Sequence, residues 1–192
     1  MKIKFDFYNS IRHVINSLYI DNKIDHETVL IIPVFKKGIE DILRVTADFI
    51  NKFILVSKDE IDIKDINDKV EIIYIPKNFK NEELVLMAND VKEEYPNSFV
   101  LDLSTNFTYE QIVAKEFCKS LVTDYHNVDK VFVPYVYGGL YMAVYKVFKL
   151  MTEVKVVLIN YQNEEIKTNI DYDMVVDSNF EINDNDHTII IL

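Results

Sequence analysis

The sequence is poor in glycine and has a single cysteine. Only Gly38, Gly138 and Gly139 occur in 192 residues, and Cys118 has no partner for an intramolecular disulfide. We expect this thiol to serve in packing, because a free cysteine behaves as a small apolar side chain. No apolar run approaches the roughly 20 residues that a membrane span needs, and no signal peptide is recognisable. These absences predict a cytoplasmic protein that does not act at a membrane.

Positive charge is also scarce. The chain carries 32 acidic against 21 basic residues, and Arg12 and Arg44 are its only arginines. Arginine is the usual partner of guanine edges and of phosphates, so binding of duplex nucleic acid is not expected. A small phosphate-containing ligand remains compatible with this composition, because backbone amides can hold it.

Common cofactor and metal signatures are missing. The four histidines lie far apart in sequence, which disfavours a metal site. Neither GxGxxG nor GxxxxGK[ST] occurs, which disfavours an ordinary dinucleotide or P-loop site. We therefore expect no cofactor and no metal.

Apolar strands alternate with amphipathic helices along most of the chain. The pattern predicts strands at residues 2–8, 29–35, 52–57, 70–75, 99–103, 130–136 and 154–161. Predicted helices cover residues 11–18, 39–49, 81–95, 112–121 and 140–151. This alternation indicates one Rossmann-like α/β domain over residues 1–192, with a mostly parallel sheet flanked by helices. Residues 162–192 are predicted to form a small acidic extension with two strands, around 174–176 and 188–192.

A strand, a polar turn and a helix follow one another at residues 98–120. Asp102 lies at the end of the apolar strand, where its carboxylate is either near solvent or hydrogen-bonded. Small polar side chains follow, which typically cap a helix. Asn106 among them also tolerates left-handed backbone. Because open α/β sheets bind ligands at the carboxyl ends of their strands, this turn is a candidate site.

Each of the three glycines falls where a predicted strand hands over to a helix. With the polar turn, they outline a crevice bounded by residues 35–38, 104–108 and 137–139. The candidate ligand-binding residues are Phe35, Lys36, Lys37, Gly38, Asp102, Ser104, Thr105, Asn106, Thr108, Tyr137, Gly138 and Gly139. The alternative is that these glycines only make tight turns.

The segment from Asp102 to Tyr109, DLSTNFTY, resembles a signature of CARF domains, the CRISPR-associated Rossmann-fold proteins. One branch of that family has Asp-Leu-Thr-His-Gly-x-Asn-Tyr at this place. The resemblance implies a homodimer that binds a cyclic tetra- or hexa-adenylate across its two-fold axis. It further implies either a sensor or a metal-independent ring nuclease of antiviral defence. In the second case Lys36, Lys37, Ser104 and Thr105 are candidate donors to the phosphate.

Two other functions stay open at this point. One is a Rossmann-like dimerisation or scaffold module without a small-molecule ligand, which the acidic composition and the tyrosine-rich stretch at residues 135–145 allow. The other is a hydrolase or transferase that uses Asp102 as a general base or metal ligand.

Overall fold

The computed structural model describes residues 1–35, 39–63, 67–124, 127–135, 139–160, 171–177, 179–181 and 188–192. Within these ranges the strands are β1 (Lys2–Ile3), β2 (Val29–Val34), β3 (Lys52–Ser57), β4 (Val70–Tyr74), β5 (Ser98–Val100), β6 (Lys130–Pro134), β7 (Lys155–Asn160), β8 (Met174–Asp177) and β9 (Thr188–Ile191). The helices are α1 (Phe7–Ile20), α2 (Ile39–Thr46), α3 (Asn81–Glu94), α4 (Phe107–Val113), α5 (Lys119–Asp124) and α6 (Gly139–Met151). A π-helical segment, Ala114–Cys118, joins α4 to α5.

The predicted fold class is confirmed, since parallel strands are flanked by helices. The strands belong to two sheets, however, and not to the single sheet that we expected. The chain also divides into two compact units: unit 1 contains Met1–Ser10 and Leu103–Leu192, and unit 2 contains Ile11–Asp102. That residues 1–192 form one domain stays a prediction.

Sheet B lies in unit 2 and has the strand order β4-β3-β2-β5, with every pair parallel. Strands β2 and β3 are buried almost throughout, as expected of continuous apolar strands in a parallel sheet. Helix α3 packs on this sheet through Leu84, Ala88 and Val91.

Sheet A lies in unit 1 and has the strand order β1-β9-β6-β7-β8, again with every pair parallel. The two predicted C-terminal strands exist, but they do not pair with each other. Strand β9 lies between β1 and β6, and β8 pairs with β7. The acidic C-terminal residues therefore contribute strands to the main sheet of this unit.

The first predicted strand is wrong over most of its length. Strand β1 covers only Lys2–Ile3, and α1 begins at Phe7. The Asp6 carboxylate accepts a hydrogen bond from the N–H of Asn9 at 3.0 Å, as a residue that caps a helix does. The alternation of charged and apolar residues predicted a strand over residues 2–8. The Asp6 cap instead starts helix α1 at Phe7.

The interior of unit 1 contains a buried tyrosine and the single cysteine. Tyr141 is fully buried in α6 and stacks on Tyr145 with 5.8 Å between ring centroids. Cys118 is buried, which agrees with the packing role expected for it.

No helix among the described residues is long and apolar enough to cross a membrane.

We predict that Ile54→Ala lowers the free energy of unfolding by about 2–5 kcal/mol, because it leaves a cavity between β3 and α3. Urea denaturation followed by circular dichroism measures this loss. The matched control is Leu86→Ala on the exposed side of α3, which we expect to stay within about 0.5 kcal/mol of wild type. Equal losses for the two variants would contradict the packing of α3 on sheet B.

Candidate functional site

Each sheet has one place where the strand order reverses. In sheet B the chain moves from β2 outward to β3 and β4, and then places β5 on the other side of β2. In sheet A it moves from β6 outward to β7 and β8, and then places β9 on the other side of β6. Open parallel sheets bind ligands outside the carboxyl ends of their strands at such a reversal. Each unit therefore has one candidate position.

In unit 2 the candidate position lies at the ends of β2 and β5. Phe35 directly follows β2, and Asp102 follows β5 by two residues. The N–H of Leu101 donates to the carbonyl of Ile31 at 2.8 Å, which extends the pairing of the two strands up to Asp102. Asp102 is buried just past the strand end. Lys36, Lys37 and Gly38 lie outside the described residues.

In unit 1 the candidate position lies at the ends of β6 and β9, where α6 begins. A Cβ atom added to Gly139 would lie 2.3 Å from the Leu103 carbonyl oxygen and 2.8 Å from Cδ1 of Tyr109. A side chain at this position would collide with backbone, so the start of α6 needs glycine. This close approach brings Gly139 against Leu103 and Tyr109, the two residues that flank the predicted loop 104–108. Tyr137 and Gly138 lie outside the described residues.

The polar turn before α4 caps that helix as predicted. Asn106 is the N-cap residue, and its side-chain oxygen accepts a hydrogen bond from the N–H of Tyr109 at 2.9 Å. Its backbone is extended, with φ −74° and ψ 109°, so this residue does not use the left-handed conformation that asparagine tolerates. Among the described non-glycine residues, the left-handed backbone occurs at Asn22, with φ 53°. Extended backbone is the usual conformation of an N-cap.

The other members of the turn differ in exposure. Ser104 is buried, Thr105 is exposed and Thr108 is half-buried. Phe107, the first residue of α4, leaves 69% of its surface exposed. The structure thus places hydroxyl groups and one aromatic ring around the capped helix end.

Tyr109, like Leu103 and Phe107, belongs to this region but is not among the candidate site residues predicted from the sequence. It is fully buried, contacts the position of Gly139, and has its ring centroid 6.4 Å from that of Phe7. Tyr109 is the last residue of the segment that resembles the CARF signature, so the sequence did mark this position. A tertiary role for the ring is not visible in that motif, because Phe7 and Gly139 are distant in sequence.

The first turn of the 13-residue helix α6 contains no acidic residue. The positive end of a helix dipole favours an anion. An ion pair between Lys146 and Glu110 links α6 to α4.

Two potentially reactive side chains of unit 1 are unsuited to nucleophilic chemistry. Burial raises the pKa of the Cys118 thiol to about 12, so the thiol is protonated near neutral pH. Burial also raises the pKa of Tyr141, and the negative charge of Asp173 adds to this effect. No three His, Cys, Asp or Glu side chains come together as potential metal ligands within the described part of the chain.

Comparison with known proteins shows a shared fold. No family model and no curated protein matches the sequence. The O-acetylserine-dependent cystathionine β-synthase of Helicobacter pylori is similar, with a TM-score of 0.69, 13% identity, and coverage of 96% of this chain and 66% of that chain. A hydrogen sulfide-producing enzyme of Fusobacterium nucleatum gives a TM-score of 0.68, 12% identity, and coverage of 89% and 61%.

A third similar structure is an O-ureido-L-serine synthase, with a TM-score of 0.65, 14% identity, and coverage of 82% of this chain and 52% of that chain. The present chain thus spans about 52% to 66% of the length of these three enzymes. At such identities the likeness establishes a common fold.

We predict that Asn106→Ala lowers the free energy of unfolding by about 0.5–2 kcal/mol, because the N–H of Tyr109 loses its acceptor. Chemical denaturation measures the change. Asn106→Ser keeps an oxygen that can cap the helix, and we expect it to retain most of the wild-type stability. If serine were as damaging as alanine, the capping role would be wrong.

We also predict that Gly139→Ala is destabilising by about 1–3 kcal/mol, since its methyl group must displace the Leu103 carbonyl or the Tyr109 ring. The thermal midpoint and a urea titration both report this change. Glu153→Ala, at an exposed position of the same unit, is the control that we expect to leave stability unchanged. A neutral or stabilising Gly139→Ala would show that this close approach does not constrain α6.

Proposed function

We propose that the chain binds a small anionic molecule at the carboxyl ends of β6 and β9 in unit 1. The close approach of Gly139 to the Leu103 carbonyl carries this proposal, because it brings the polar turn to the start of α6. Helix N-termini bind carboxylate and phosphate groups through free N–H groups and through the helix dipole. The hydroxyl of Thr105 adds a polar group on the exposed side of the turn.

An amino acid derived from serine is the first candidate ligand. The chain shares its fold with an O-acetylserine-dependent enzyme and with an O-ureido-L-serine synthase. A further structure with the same fold is a hydrogen sulfide-producing enzyme with an α-aminoacrylate intermediate, at a TM-score of 0.71 and 12% identity. An amino-acid carboxylate is small enough to be held by one helix N-terminus within a single chain.

A cyclic oligoadenylate is the second candidate ligand, and the sequence from Asp102 to Tyr109 favours it. In this case two copies of the chain form a homodimer around a cyclic tetra- or hexa-adenylate, as sensor or as ring nuclease. The exposed Phe107 ring offers a surface on which an adenine can stack.

Isothermal titration of the full chain distinguishes these ligands. The titrants are O-acetyl-L-serine, O-ureido-L-serine, cyclic tetra-adenylate and cyclic hexa-adenylate, followed by chromatography of the recovered ligand. We expect saturable heat with one class, at one ligand per chain for an amino acid and one per dimer for a cyclic adenylate. Chemical change of the recovered ligand would establish an enzyme.

The variants locate the binding site. Gly139→Ala is expected to weaken binding at least about tenfold, whereas Glu153→Ala leaves it unchanged. The Gly139→Ala protein is tested at a temperature at which circular dichroism shows it to be folded. Absence of heat with all four titrants would contradict the proposal and favour a scaffold module.

A further inference from the structure

Strand β8 forms an acidic and partly apolar edge of sheet A. Within the described residues it pairs with β7 alone, as the last strand in the order of that sheet. We call residues 171–177 and 179–181 the β8 edge. Its exposed large apolar side chains are Tyr172 (51%), Met174 (51%), Val175 (36%) and Phe180 (47%).

The exposure of neighbouring side chains shows that neither face of the strand is fully covered. Met174 and Val175 point to opposite faces of the sheet, because side chains alternate along a strand, and both are exposed. Val176 is buried against Val157 and Ile159. Val176 thus anchors the strand on one face, while Met174 on the same face and Val175 on the other face remain accessible.

Two interactions fix the N-terminal end of this edge. The Asp173 carboxylate accepts a hydrogen bond from the N–H of Val156 at 2.8 Å and forms an ion pair with Lys149 at 2.6 Å. Lys149 belongs to α6, and the last two residues of that helix, Leu150 and Met151, are both exposed. The edge is therefore held in place next to further apolar surface.

The charge of this region is strongly one-sided. Residues 164–186 contain eight acidic residues and one lysine, which accounts for seven of the eleven net negative charges of the chain. Within the β8 edge, Asp171, Asp177 and Glu181 are exposed in addition to Asp173. Two such edges brought together would repel each other, so a second copy of this chain is a poor partner.

We propose that the β8 edge is a docking site for an extended, basic segment of another protein, which adds a strand beside β8. Backbone hydrogen bonds of an added strand supply affinity, while side chains of alternating character supply specificity. Lysines or arginines of the partner pair with Asp171, Asp177 and Glu181, and its apolar residues cover Met174 and Val175. This interaction is separate from the ligand site proposed at the start of α6.

The test is a fluorescence anisotropy titration of the full chain with three labelled peptides. The first, Lys-Val-Lys-Ile-Lys-Val-Lys, alternates basic and apolar residues. The second replaces its isoleucine by proline, which keeps the charge but disrupts strand pairing. The third replaces every lysine by glutamate. We expect the first to bind, more weakly as NaCl rises from about 50 to 300 mM, and the other two to bind at least about tenfold more weakly.

Two triple variants locate the effect on the protein. Asp171→Asn with Asp177→Asn and Glu181→Gln removes three charges of the β8 edge but leaves the Asp173 ion pair intact. The matched control, Glu82→Gln with Asp90→Asn and Glu93→Gln, removes three charges from α3. We expect about a tenfold loss of peptide affinity in the first and less than about twofold in the control.

Four outcomes would overturn this proposal. They are no binding of the alternating peptide, equal binding of the proline peptide, equal loss in both triple variants, and dimerisation of the wild-type chain through the β8 edge. Circular dichroism confirms beforehand that each variant is folded.

Discussion

Parallel pairing of the strands is the constraint on which the rest of this structure depends. Every strand pair among the described residues is parallel, so the carboxyl ends within each sheet meet at one edge. A parallel pair also needs a long connection, usually a helix, which starts from that edge. The start of α6 therefore lies at the end of β6 because of the pairing. Gly139 then determines how closely the polar turn approaches that helix.

The elements were predictable where a local pattern decides them. Strand β3 matches its predicted range because its apolar run has polar residues on both sides. Strand β1 did not match its predicted range, because Asp6 caps a helix. In the alternating pattern of charged and apolar residues, the same aspartate fitted an outward-facing position of a strand. The partner of β1 was not predictable, because β9 lies at the opposite end of the sequence.

The candidate site shows the same limit. Glycine at position 139 signalled a close approach, but the group approached is the backbone carbonyl of Leu103, and any residue carries a carbonyl. Asn106 was a predictable cap from its residue type and position, whereas its backbone conformation followed from the cap and not from asparagine's tolerance of left-handed backbone. The capping or packing role of a residue can be inferred from its type and its position in the sequence. The backbone atoms that it contacts depend on the tertiary fold.

The pairing of β1 with β9 has a consequence for the order in which the chain folds. The N-terminal ammonium group donates to the Thr188 carbonyl at 2.6 Å, and Lys2 lies level with Ile190. Unit 2 is one continuous stretch, Ile11–Asp102, and all of its strands are synthesised before β6. Strand β1 is made before unit 2, yet its partner β9 is made after β6, β7 and β8. Unit 2 can therefore form during translation, while sheet A is completed only by a contact of very long sequence separation, which is slow to form.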